Sequence, residues 1–396
     1  MRRPRDGTAG RALTRRTLRP DDGRMSDVTG PVEAEAGGIL TIDLAAITAN
    51  WRRLRERAAP ANCAAVVKAD AYGCGIEPVV RALARAGCAT FFVAHLGEAR
   101  RVRATAADAT VYVLNGLMPG TAASYAAATL RPVIGSRAEL EEWNAFRAAS
   151  GWRGEAALHF DTGMSRLGFA FDDANAIASG LGNDHGIALV MSHFACSEEA
   201  HPLNAIQIAR FKAVRAPFGA IAGSLANSSG IFLGADAHHD LVRPGVALYG
   251  VNPRPGEPNP MQPVIALRGR VVQTREVPQG ATVGYSATWT AQRPTRLAVV
   301  SVGYADGFLR AGSASDARAG AEAIVAGQRC PLAGRVSMDL IAIDVTDVPA
   351  TGVSRGDLVT LIGGGLSVDD LAARAGTIGY EVLTSLGRRY RRVYTG

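Results

Sequence analysis

Residues 64–95 read AAVVKADAYGCGIEPVVRALARAGCATFFVAH. An apolar run ends on Lys68, glycines mark a turn, and apolar residues then recur at helical spacing from Pro78 to Ala86. Gly87 closes that stretch and a second apolar run leads to His95. Strand, helix and strand within about thirty residues is the pattern of a βαβ unit. The rhythm continues outward. Strands are expected at 64–68, 91–95, 111–115, 132–135, 156–161, 189–193, 225–228 and 241–249. Helices are expected at 44–59 (with Asp43 as N-cap), 78–86, 138–149, 172–181 and 203–218. Eight such strands predict an α/β chain whose first domain is a (β/α)8 TIM-like barrel. A doubly wound open sheet has the same periodicity and is the alternative at this stage.

The pattern changes near residue 265. Segments 265–274, 296–302, 322–325, 340–345 and 358–362 are strand-like and separated by Gly, Pro or Asp, with one helical stretch at 367–375. The expected division is a disordered basic tail at 1–37, the barrel at 38–264 and a mainly antiparallel β domain at 265–396. Gly363-Gly364-Gly365 reads as a turn, because no Lys-Ser/Thr follows it.

The chain has 396 residues, 47% of them hydrophobic, enough for two ordinary domains. Its net charge of +7 is concentrated in residues 1–25, which carry eight Arg against three Asp. The remainder is nearly balanced, which argues against a nucleic-acid partner. Five widely spaced cysteines without a C-x-x-C predict neither a disulfide framework nor zinc, and no metal is expected. No apolar run approaches the roughly 18–20 residues of a membrane span. The twin arginines Arg15 and Arg16 lack a following apolar region, so no secretory signal is read and a cytoplasmic protein is expected. Met25 is a second candidate start.

Only two of the 43 basic residues are lysines, Lys68 and Lys212. Arginine cannot act as an amine nucleophile, so a lysine that survives this bias at a strand end invites a chemical explanation. Lys68 reads either as a lysine reaching solvent from a strand end or as a Schiff-base lysine whose pKa desolvation lowers. Lys212, between Arg210 and Arg215 on an expected helix, reads as surface. His95, Asn115, Asp161, His193, Asn227, Ser228 and Arg243 also fall at or just past apolar runs. Polar groups at that end of barrel strands line a pocket. Asn227-Ser228-Ser229-Gly230 and Pro244-Gly245-Val246 could offer hydroxyls and backbone N–H groups to a phosphate.

Nine segments carry a family resemblance. They are VVKADAYG (66–73), DTGMSRLG (161–168), SHFA (192–195), ANS (226–228), VRPG (242–245), VGYSA (283–287), VGYADG (302–307), SMD (337–339) and GYEV (379–382). In this order, over about residues 39–394, they resemble the pyridoxal-phosphate-dependent alanine racemase family. The resemblance implies pyridoxal 5'-phosphate as cofactor, held covalently by Lys68, which is also the base on one face of the substrate Cα. It implies Tyr285, supplied by the partner subunit of a homodimer with shared sites, as the base on the other face. Tyr72, Ser228 and Tyr380 would bind the phosphate with the backbone near Gly245 and Val246, and Asn227 and His193 would complete the cofactor site. Arg243 would face the pyridine nitrogen. Arg166 and the backbone at Met338 would receive the substrate carboxylate, with Tyr304 and Asp339 beside them.

The residue types suit such chemistry. Removing a Cα proton needs an electron sink, and inverting the centre needs two bases. Lysine and tyrosine ordinarily titrate near 10, so each must be tuned downward. Three positions depart from the usual family pattern. His159 stands where many relatives have a carbamylated lysine, Cys74 where many have His, and Ser337 where many have Cys. The motifs leave open a racemase acting on serine or lysine. A decarboxylase would be expected to pair the pyridine nitrogen with a carboxylate, against Arg243. A non-catalytic pyridoxal-phosphate carrier would consist of the barrel alone.

Overall fold

The computed structural model describes residues 28–396 except Asn183. Most of the expected basic tail therefore lies outside the described residues. Residues 28–37 do not fit the disorder expected of them. Val28–Thr29 pairs antiparallel with Val393 and Arg392. Arg391 donates to the Pro31 carbonyl (3.0 Å), and Arg270 to those of Glu33 (2.7 Å) and Ala36 (3.0 Å). Arginines of the β domain satisfy the backbone here, a signal that lies outside the segment itself.

Seven parallel strands run in consecutive order: Ala65–Val66, Thr90–Val93, Thr110–Val113, Arg131–Ile134, Ala156–His159, Ile187–Met191 and Ala222–Ser224. The eighth, Leu241–Val242, pairs parallel with Asn62–Cys63. Closure comes from backbone bonds on both sides of it. Asn62, Ala64 and Val66 donate to Asp240, Val242 and Pro244, each at 2.9 Å, while Asp240 and Arg243 donate to Gly223 (3.0 Å) and Ala226 (2.9 Å). The first strand thus meets the eighth and the eighth meets the seventh, which makes a barrel and removes the open-sheet alternative.

Several elements differ from expectation for identifiable reasons. The seventh strand is Ala222–Ser224, and 225–228 is already loop. Ala-Gly-Ser has little strand propensity, so the apolar signal sits one step late. The eighth ends at Val242 because Pro244 has no N–H to extend it, and Val246–Tyr249 forms a 3-10 turn. Helices Leu96–Thr105 and Ala122–Ala128 carry only two buried residues each and gave no clear periodic signal. Helix Leu44–Ala58 begins as expected, with the Asp43 carboxylate accepting from Ala46 N (2.9 Å).

The β domain is organised by one long strand, Ile265–Val277, which pairs antiparallel with Leu358–Ile362 and Thr295–Val300. It also pairs with Gly38–Asp43, which in turn runs parallel to Arg391–Thr395. Residues 38–43 therefore contribute to the sheet of the β domain, although the expected division groups them with the barrel. Helix Gly379–Ser385 packs from the β domain against the segment after Lys68 and brings the Tyr380 ring to 6.2 Å from Tyr72. Among the described residues no helix is long and apolar enough to cross a membrane.

Candidate active site

The first strand delivers Lys68 into an unusual turn. Ala69, Asp70, Ala71 and Tyr72 all have positive φ, between 52° and 55°. Left-handed backbone costs roughly 1–2 kcal/mol per non-glycine residue, so four in succession need strong external restraint. The Glu98 carboxylate accepts from Ala69 N (2.6 Å). Asp70 accepts from Ile76 N (3.1 Å) and pairs with Arg101 (2.7 Å), which also forks onto Glu77. Arg392 donates to the Gly73 carbonyl. The turn places Lys68 at its start and Tyr72 at its end.

Lys68 is half-buried, and burial lowers its pKa; the nearby Arg166 guanidinium lowers it further, while Glu98 opposes both. Its surroundings are cationic. Arg243, 3% exposed, donates to the Ser192 carbonyl (2.7 Å) and to the Ser224 hydroxyl, and approaches His193 Nδ1 at 3.4 Å. With no carboxylate beside it, burial pulls Arg243 down to about 9, so it is still cationic at neutral pH. His193 is held far below its ordinary value by burial, then by Arg243 and Arg166. His159 is lowered to about 4 by burial, then by the same two arginines. Both rings are therefore neutral at pH 7.

Acid should expose that depression. The unfolded chain takes up the His159 proton near 6.5, and the folded chain only near 4. Stability is thus fully present above pH 6.5 and declines as pH falls toward 4, by about 3 kcal/mol for this group. In urea titrations, His159→Gln should flatten the fall in unfolding free energy across that window. Equal slopes for the two proteins would contradict the assignment.

A serine-bearing turn packs against Tyr72. Ser228 Oγ accepts from Gly245 N (2.9 Å) and Ala247 N (3.2 Å), so its own proton is free to donate outward. A Cβ on Gly245 would stand 2.4 Å from Tyr72 Oη, so only glycine lets the backbone come this close. Ser229 Oγ is buried without a partner. Tyr72 stacks on Tyr249 (4.7 Å between centroids), whose hydroxyl is anchored on the Val66 carbonyl (3.0 Å). Tyr380 completes the rim and donates to Glu198 at 3.4 Å.

The remaining strand-end residues divide by role. Asp161 accepts from Gly163, Met164 and Ser165 N–H groups (2.8–2.9 Å) and so shapes the loop that presents Arg166. Asn227 is spent on the Ser197 hydroxyl and Gly230 N (both 2.8 Å), which orients the serine-bearing turn. His95 and Asn115 face one another at 3.5 Å on the exposed mouth. Arg166 is exposed, and no hydrogen bond or ion pair engages its guanidinium among the described residues. Sequence reading did not single out Glu98, Arg101, Ser224 or Glu198. Only the fold brings them to the site, and none carries a local motif.

Tyr285, Tyr304, Met338 and Asp339 form a second group on the β domain. Tyr304 N donates to the Ser337 carbonyl and Ala305 N to that of Met338, both at 3.0 Å. Arg335 reaches the Ser286 hydroxyl (3.2 Å), tying the Tyr285 turn to the same loop. Arg389 bridges Asp306 (3.0 Å) and Asp339 (2.8 Å). Among the described residues no hydrogen bond, ion pair or ring contact joins this group to Lys68. Tyr285 is 68% exposed and Met338 53%, unusual for large apolar side chains.

Comparison with known proteins places both halves. The family model described as "Alanine racemase, N-terminal domain" matches residues 42–253, and "Alanine racemase, C-terminal domain" matches 264–394. An alanine racemase of Methylobacterium sp. (strain 4-46) is 56% identical over 360 residues, 90% of this chain and 98% of that one. A catabolic alanine racemase of Mesorhizobium japonicum is 50% identical, covering 93% and 97%. The crystal structure of alanine racemase from Bartonella henselae with covalently bound pyridoxal phosphate superposes with a TM-score of 0.85 at 38% identity, covering 91% of this chain and 99% of that one.

Proposed function

The chain belongs to the alanine racemase family of isomerases, and from that premise we propose that it interconverts L- and D-alanine with pyridoxal 5'-phosphate at the barrel mouth. The carrying observation is that one turn holds an amine of lowered pKa at its start and, at its end, a tyrosine hydroxyl set against the Gly245 backbone and the serine-bearing turn. The residues fit the cofactor. The orphaned Ser229 hydroxyl, the outward Ser228 proton and the missing Gly245 side chain suit a phosphate; Tyr72 and Tyr380 would close over it. When bound, the cofactor supplies the electron sink that lets the Cα proton leave.

The protein's own groups do the rest. Lys68 Nζ, deprotonated more readily because of burial and Arg166, takes or returns the proton on one face of Cα. Arg243, cationic at neutral pH, would hold the pyridine nitrogen as a hydrogen-bond donor and so favour its unprotonated form. The Arg166 guanidinium receives the substrate carboxylate. Tyr285, from a second copy of the chain, serves the opposite face, with Met338 N–H, Tyr304 and Asp339 of that copy closing the substrate side. His193, a neutral ring held beside Arg243, would stack near the cofactor ring and tune Tyr285. The exposure of the Tyr285 and Met338 side chains supports this homodimeric arrangement.

The test is direct. Purified protein with pyridoxal phosphate is given L-alanine, L-serine or L-lysine, and D-enantiomer is followed by chiral chromatography. Rapid D-alanine formation with slow turnover of the other two is expected. Turnover of serine or lysine but not alanine would keep the chemistry and replace the substrate.

A further inference from the structure

We propose that Glu98 is a positioning residue: by gripping the Ala69 N–H it holds the left-handed turn that sets where the Lys68 amine stands relative to the Tyr72 hydroxyl. The proposal rests on Lys68 being the cofactor-bearing lysine.

Glu98 lies in the first turn of helix Leu96–Thr105, after the second barrel strand. Its Oε2 accepts from Ala94 N (2.9 Å) and His95 N (3.2 Å), the ordinary work of an acidic residue capping its own helix. Capping needs nothing more. Yet Oε1 reaches 29 residues back along the chain to Ala69 N, at 2.6 Å. One carboxylate therefore holds backbone N–H groups of two successive βα loops. Charge-assisted bonds of this kind are shorter and stronger than neutral ones.

The same helix supplies a second grip. Arg101, one turn on from Glu98, pairs with Asp70 and is itself fixed by the fork on Glu77. Consecutive residues of the turn, Ala69 and Asp70, are thus each tied to one helix. None of the four left-handed residues is a glycine, so the turn does not keep this shape by itself. If it relaxed toward the right-handed region, Lys68 and Tyr72 would swing apart. The clamp also puts the Glu98 carboxylate near Lys68, where it opposes the lowering by burial and by Arg166 and limits how far the amine is depressed.

The variant Glu98→Gln offers one carbonyl oxygen in place of two carboxylate oxygens, so an amide NH2 must face one set of N–H donors. The readout is half-saturation by pyridoxal phosphate, measured by borohydride trapping and mass analysis of the Lys68 peptide. It should rise about tenfold or more. Adding Ala69→Gly, which makes left-handed backbone free of steric cost at that residue, should return most of the affinity. Unchanged half-saturation in Glu98→Gln overturns the proposal. So does a loss that Ala69→Gly does not relieve and that merely tracks a fall in melting temperature, for then Glu98 only caps its helix. If Glu98→Gln does not fold, Arg101→Gln is read the same way. Absence of any trapped adduct on Lys68 in the unaltered protein would instead sink the underlying assignment of Lys68.

Discussion

Lys68→Ala is expected to abolish racemisation, by at least about 10⁴-fold, because it removes both the covalent anchor and one of the two bases. The chain makes this test unusually clean. Its only other lysine, Lys212, lies exposed near the end of helix Pro202–Arg215 and cannot take over. Borohydride treatment should therefore label one internal lysine peptide in the unaltered protein and none in the variant. The fold should survive. Lys68 sits where burial and Arg166 disfavour its charge, so its folded pKa lies below its unfolded one. Below that unfolded value the charged amine costs stability, and alanine removes the cost. With both proteins freed of pyridoxal phosphate, a melting temperature equal to or above that of the unaltered protein is expected at neutral pH. Measurable racemisation by Lys68→Ala, or a labelled Lys212 peptide with activity, would refute the role.

The fold was legible where packing demands periodicity and less so where it does not. The βα rhythm announced eight strands because their apolar runs face a buried interior. The seventh strand was misplaced because Ala222, Gly223 and Ser224 are small and carry no such signal. Ser224 is nonetheless needed, since its hydroxyl braces the buried Arg243. The site followed the same logic. Lys68 stood out by its rarity, and Arg166, Arg243 and Tyr285 by their motifs. Glu98 and Arg101 did not, because on their own helix they read as a cap and a surface charge. Their function depends on a contact some thirty residues away, and on four left-handed residues that composition does not reveal. The residues of the β domain were legible as motifs, and the resemblance already assigned Tyr285 to a partner subunit; in three dimensions they are separate from Lys68 in that no hydrogen bond, ion pair or ring contact among the described residues joins them.

That separation leads to the second large effect. If Tyr285 of one copy serves the site built on Lys68 of another, then Lys68→Ala and Tyr285→Phe homodimers each lack one base in both sites. Tyr285→Phe should keep its bound cofactor and its Lys68 adduct while failing at one face of Cα. Mixing the two variants under conditions that exchange subunits forms hybrid dimers. In a hybrid, the site built on the Tyr285→Phe copy has its own Lys68 and receives an intact Tyr285 from the Lys68→Ala copy. The other site has neither base. Random exchange makes about half the dimers hybrids, each with one good site of two, so about one quarter of normal activity should return. Two inactive proteins that become active on mixing have no account in which each site lies within one chain. Conversely, no recovery despite hybrids demonstrated by native mass spectrometry would put Tyr285 in the same chain's site or outside the reaction. The exposure of Tyr285 and Met338, and the lack of any bond linking their loop to Lys68 among the described residues, favour recovery.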